Sequence, residues 1–170
     1  KKVKNIFITE NNKNYLRSLA VKLKSDVIDH NNFIGGRYSV LSEVGMLPAM
    51  LMGLKVNKFR KFNELVKNKY FLNSVINSVS STISLINKNK SNSIILNYDE
   101  KSLDLFHWYQ QLVAESLGKK SKGILPMISK MPQDNHSLMQ LYLDGKKNNF
   151  YTFFFTKETF STKIKNERIL

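Results

Sequence analysis

A carboxylate and an imidazole share one stretch of chain, Trp108–Ser137, WYQQLVAESLGKKSKGILPMISKMPQDNHS. Glu115 sits inside an apolar helical pattern. A Gly-Lys turn and a strand-like run follow, and His136 lies in the polar loop beyond. A base and an imidazole brought together by a helix-turn-strand-loop unit can move protons without a metal. Gln111 precedes Glu115 by one helical turn, which makes the two neighbours on one face. Glu115 also stands where the apolar stripe ends, just before Gly118, where a cleft is expected to bury it partly and suit it to general-base work. His136 follows a strand, and α/β proteins place ligands in the loops at strand ends. Each residue has an ordinary reading too: a helix-borne glutamate facing water, and a loop histidine with no role.

A second constellation is Asn31–Gly45, NNFIGGRYSVLSEVG. Gly35 and Gly36 let the backbone turn tightly, or approach a ligand closely, just before a helix begins. Arg37 then supplies a cation that does not lose its proton. A plain strand-to-helix turn with a surface arginine fits the motif equally well. Ser39 or Ser42 is placed to cap the following helix. His30 and His107 take ordinary readings, one ending a strand and the other within an amphipathic helix. The three histidines are far apart and form no HxH or HExxH spacing, so no metal site is expected. The absence of cysteine excludes disulfides, thiol catalysis and Cys-bound zinc. No GxGxxG or Walker A loop occurs.

The elements that must position these residues alternate. Val3–Thr9 reads as a buried strand, Asn11–Ser25 as a helix and Asp26–Asp29 as a second strand, a βαβ unit that implies a parallel sheet. The apolar segment up to Leu54 reads as a buried helix, irregular near Pro48. Lys58–Lys90 reads as one or two helices, and Ser93–Tyr98 as a buried strand. Ser102–Glu115 is a helix that Gly118 ends, and Gly123–Met131 a strand. Leu138–Leu143 is a short helix and Phe150–Phe155 a final strand with one apolar face.

A chain of 170 residues with 42% hydrophobic content can bury a real core. It has no run of about 18 apolar residues to span a membrane and no charged-then-apolar leader, so a cytoplasmic location is expected. The net charge of +14, from 27 basic and 13 acidic residues, raises the question of nucleic acid. The lysines are scattered, only four basic residues are arginine, and asparagine is abundant, as an AT-biased genome produces. Nucleic-acid binders concentrate arginine and interleave it with aromatics, so no nucleic-acid partner is expected. The charge can still draw in a small anion such as a sugar phosphate. A start at Lys1 and an end at ERIL directly after a strand-like run lead to the expectation of an internal piece of a longer protein.

IGGRYSVLSEVG closely resembles the Gly-Gly-Arg signature of the glucose-6-phosphate isomerase family. WYQQLVAESLGK, PQDNHSLMQLYLDG and FYTFFF look like the later part of that family's catalytic region. The resemblance covers nearly the whole chain and is weakest between Lys55 and Asn92. It implies an α/β fold, a three-layer α/β/α sandwich with a mainly parallel sheet of the sugar-isomerase (SIS) type. Residues 1–54 would end the first SIS subdomain, 55–91 form a helical connection, and 92–170 begin the second. The implied activity interconverts glucose 6-phosphate and fructose 6-phosphate through a cis-enediol(ate), with no cofactor or metal, in glycolysis and gluconeogenesis.

By the same resemblance Glu115 matches the base that shuttles a proton between C2 and C1, and Arg37 the cation that stabilises the enediolate. Gln111 and Gly36 match substrate-contacting positions, and His136 the histidine that assists ring opening. In the family that histidine reaches the neighbouring subunit's site, which implies a homodimer. Glu43 departs from the pattern, because the family usually has a small residue there. The family's Ser/Thr-rich phosphate loop would precede Lys1, and its catalytic lysine would follow Leu170. A non-catalytic sugar-phosphate-binding SIS module is the alternative.

Overall fold

The structure, a computed structural model, describes residues 5–157, without the side chain of Arg60. The chain divides into two compact units, Lys1–Thr82 and Ile83–Leu170.

In the first unit β1 (Ile6–Glu10), α1 (Tyr15–Lys22) and β2 (Asp26–His30) form the expected βαβ unit. The two strands are parallel, with Ile6 opposite Asp26 and Glu10 opposite His30. The helix starts at Tyr15 rather than Asn11 because Asn14 caps it: the Asn14 side-chain oxygen accepts the N–H of Arg17 at 2.9 Å. Arg17 reaches back to both strands, donating to the Glu10 carbonyl at 3.1 Å and pairing with the Asp29 carboxylate. Ala20 is fully buried, so the helix lies close on the strands.

A 3-10 helix, Gly36–Leu41, leads into α2 (Glu43–Leu51). Ser42 caps α2, its hydroxyl accepting the N–H of Val44 at 3.3 Å. Gly45 is fixed by a close approach: a Cβ there would lie 2.0 Å from the Val40 carbonyl oxygen, so α2 is seated on the backbone of the 3-10 helix. Pro48 stands within α2, where it lacks an N–H to return to Val44, yet the helix runs on to Leu51. A second 3-10 helix, Val56–Lys61, precedes α3 (Phe62–Leu65) and α4 (Lys69–Asn87). The apolar stripe of α4, which includes Ile76, Val79 and Ile83, is exposed along with its Ser/Asn-rich face.

In the second unit β3 (Asn92–Asn97) lies between β4 (Leu125–Lys130) and β5 (Asn149–Phe154), parallel to both. Ser93 through Asn97 are buried without a break, the pattern of a parallel strand covered on both faces. Ile94 and Leu96 form the core with Met131 and Tyr142. Helix α5 (Leu103–Leu117) joins β3 to β4. Its half-buried stripe places Phe106 edge-on to Phe154 at 4.7 Å and lets the Gln110 amide donate to the Pro126 carbonyl at 2.8 Å.

The sequence PQDNHS, expected as a loop, contains a short helix instead, α6 (Gln133–Ser137), followed by α7 (Met139–Asp144). The Asp134 carboxylate accepts from the Lys130 N–H at 2.7 Å, from the Ser129 hydroxyl at 3.1 Å and from the Ser137 hydroxyl at 3.2 Å. That ties the turn to the end of β4 and winds it up. Both units are α/β, with wholly parallel pairing among the described strands, in agreement with the expected fold class.

Candidate active site

Arg37 is the second residue of the first 3-10 helix. That turn is held by the Tyr38 N–H on the Gly35 carbonyl at 2.9 Å, the Ser39 hydroxyl on the Gly36 carbonyl at 2.7 Å and the Ser42 hydroxyl on the Ser39 carbonyl at 2.7 Å. The half-buried Arg37 lays its guanidinium carbon 4.8 Å from the centre of the Tyr38 ring. The glycines do not serve a strained turn. Gly35 has φ −66°, which any residue adopts, and a Cβ at Gly36 would meet no atom within 4 Å. Gly36 is exposed, and its bare backbone is open to close approach.

His30 has more than the ordinary role that its place at a strand end implies. Its Nδ1 faces the Glu43 carboxylate, and its Nε2 lies 3.0 Å from the Ile34 carbonyl oxygen. The bond to Glu43, foremost, and then the one to Ile34 raise the His30 pKa above its usual 6.5. Glu43 is held below its usual 4.5, first by its own backbone N–H and then by the imidazole. The signal in the sequence was slight: a histidine ending the strand before Gly-Gly-Arg, and a glutamate where a small residue was expected.

In the second unit Gln111 and Glu115 occupy one face of α5, with the amide Nε2 donating to the Glu115 carboxylate at 3.4 Å. Glu115 is exposed rather than partly buried, because α5 turns its apolar stripe, not this edge, toward the strands. Gly118 ends the helix without a left-handed backbone (φ −74°). A Cβ there would lie 2.5 Å from the Ala114 carbonyl oxygen that its own N–H bonds. Gly123, at φ +124°, closes the turn where a side chain would be strained. His136 is exposed in the last turn of α6, and His107 stands 3.8 Å from Asp104 on the surface of α5. Gln111 and Glu115 are thus brought together. His136 shares their unit on a separate helix, while Gly36 and Arg37 belong to the first unit.

The family model described as phosphoglucose isomerase matches residues 2–129, which takes in Gly36, Arg37, Gln111 and Glu115. The chain belongs to the phosphoglucose isomerase family. It is 35% identical over 167 residues to a glucose-6-phosphate isomerase of Methanocaldococcus jannaschii, covering 92% of this chain and 40% of that protein. A glucose-6-phosphate isomerase of Acetivibrio thermocellus is 36% identical over 150 residues, with 85% of this chain and 33% of the relative covered. The crystal structure of a hypothetical protein from Thermus thermophilus superposes with a TM-score of 0.69 at 25% identity, over 87% of this chain and 37% of that one. The chain therefore spans some 33–40% of the length of these phosphoglucose isomerase relatives. No helix among the described residues is long and apolar enough to cross a membrane.

Proposed function

We propose that this chain is part of a glucose-6-phosphate isomerase. The activity is the reversible conversion of glucose 6-phosphate to fructose 6-phosphate through a cis-enediol(ate). Glu115 is the base that carries the proton between C2 and C1. One base with access to both carbons is enough for this, since the proton leaves and returns on one side. The Gln111 amide beside it orients the carboxylate and touches substrate. Arg37 offsets the negative charge that develops on the enediolate oxygen, an electrostatic contribution that commonly dominates such barriers. Gly36 lets the substrate approach the backbone next to it, and His136 assists ring opening, in a homodimer that it completes from the neighbouring subunit. Residues 1–54 and 92–170 are read as parts of two SIS subdomains, joined by the helical stretch 55–91. A cytoplasmic location goes with this role.

The reading rests above all on the phosphoglucose isomerase match across residues 2–129, a span that includes the Gly-Gly-Arg turn and the Gln111–Glu115 face. A coupled assay of fructose 6-phosphate to glucose 6-phosphate, run on the full-length protein, tests it. Turnover that depends on Glu115 supports the reading. A folded full-length protein that binds the sugar phosphate without turning it over replaces it with the non-catalytic sugar-phosphate-binding module.

A further inference from the structure

The segment that carries Gly36 and Arg37 is bracketed by two side chains that the isomerase reading does not use. His30 ends β2 and Glu43 opens α2; between them lie the Asn31–Ile34 turn and the 3-10 helix. Within this segment the bonds among Gly35, Gly36, Tyr38, Ser39 and Ser42 set its own shape. The Asn31 side chain does the same at the entry, accepting from the Phe33 N–H at 2.9 Å. These bonds do not fasten the segment to the strands. The close seat of Gly45 on Val40 makes the 3-10 helix and α2 one piece; the bond of His30 to Glu43 attaches that piece to β2, and its bond to the Ile34 carbonyl holds the entry turn.

The protonation state follows from the partners. Nε2 lies 3.0 Å from the Ile34 carbonyl and Nδ1 faces the Glu43 carboxylate. A carbonyl and an ionised carboxylate accept hydrogen bonds and donate none, so both ring nitrogens must donate, and a ring that donates from both is an imidazolium. The pair is sheltered, with 13% of the His30 side chain and 29% of the Glu43 side chain exposed. Around it, Glu10 stands opposite His30 on β1, and the neighbouring Asp29 is engaged by Arg17 of α1. The bond to Glu43 raises the His30 pKa, which accords with the charged ring.

Resting on the isomerase reading, we propose that His30 and Glu43 are a positioning pair: their charged bridge fixes both ends of segment 31–42 and so sets where Arg37 meets the substrate. A residue that acts in this way alters turnover more than binding, because small misplacements of a catalytic group cost rate. It also ties turnover to a proton outside the reacting groups. Once His30 loses one ring proton, one of its two bonds is lost.

The test uses the full-length protein. Turnover of fructose 6-phosphate is measured across pH for the wild type and for His30→Gln, Glu43→Gln and Glu43→Ala, together with amide hydrogen exchange over residues 31–42. The expected result is a kcat about tenfold lower in the variants with KM changed by less than about twofold. Exchange over the segment becomes faster, and the His30→Gln enzyme lacks the decline in kcat that the wild type shows as His30 deprotonates. The His30→Gln/Glu43→Gln double variant, which can form a neutral amide bond, is expected to regain part of kcat without that decline. Should His30→Gln not fold, Glu43→Ala, at the first turn of α2, carries the same readouts.

Wild-type kcat and exchange in the variants would overturn the pair. So would a loss of kcat that only tracks a loss of global stability. A wild type without turnover defeats the isomerase reading instead, and exchange then decides the pair: unchanged protection of 31–42 overturns it, and faster exchange supports the brace.

Discussion

The amide nitrogen of Gln111 stands 3.4 Å from a carboxylate oxygen of Glu115, one helical turn away on α5. The amide thus holds the carboxylate proposed as the base from the next turn of its own helix. Glu115→Gln keeps the size of the side chain and removes the carboxylate proposed as the base. In the full-length protein turnover is expected to fall about 10²–10⁴-fold, the range usual for general acid–base groups, with circular dichroism unchanged. Retained turnover in a folded Glu115→Gln enzyme would sink the assignment.

Arg37 is expected to act on the transition state more than on ground-state binding. Arg37→Ala should lower kcat about 10²–10³-fold, as loss of an oxyanion donor does, with a smaller change in KM. Arg37→Lys should restore only part of this, since a compact ammonium cannot lie flat on the Tyr38 ring as a guanidinium does. Steady-state kinetics of both variants separate the two parameters. An Arg37→Ala enzyme changed in KM alone would assign the arginine to uniform binding instead.

The His30–Glu43 pair predicts a pH window of stability. His30 has a raised pKa, so its contribution is complete below its ordinary 6.5 and is lost as pH rises through the raised value. Glu43 has a lowered pKa, so its contribution is complete above its ordinary 4.5 and is lost as pH falls through the lowered value. The gap in denaturant midpoint between the wild type and Glu43→Gln should therefore be widest between pH 4.5 and pH 6.5 and close on either side. A gap independent of pH would count against the ion pair.

Gly45→Ala is expected to reverse the usual helix rule. In an open helix interior, alanine in place of glycine stabilises by about 1 kcal/mol. Here the added methyl would lie 2.0 Å from the Val40 carbonyl oxygen, a backbone atom that cannot swing aside. Overpacking of this kind costs about 1–3 kcal/mol, so chemical denaturation should show net destabilisation, with Arg37 displaced along with the 3-10 helix. A stabilised Gly45→Ala variant would mean that α2 does not rest on that turn.

The parts legible in the sequence were those whose signal is local. Alternating strand, helix and strand gave the βαβ unit and its parallel pairing, and the unbroken apolar run of β3 marked a strand covered on both faces. Spacing alone put Gln111 beside Glu115, because a helix fixes that relation. The misses depend on partners distant in sequence. Helix α6 is built from turn-forming residues and is wound by Asp134 bonding back to β4, which no window over PQDNHS contains. His30 and Glu43 lie on different elements joined by a loop, so neither carries a mark of the other. The exposure of Glu115 was missed because an apolar stripe locates the buried side of a helix but not the cover over its edge.

Both partners of β3 follow it in the chain, and β5 pairs with it at a separation of 57 residues, Asn92 with Asn149. At ribosomal rates of about 5–20 residues per second, the SIIL run of β3 emerges roughly 3–11 s before its second neighbour. Until β4 emerges β3 is wholly unpaired, and until β5 emerges it keeps one open edge of apolar strand. Slowing translation just after β3 should therefore lower the soluble yield more than slowing it after β5.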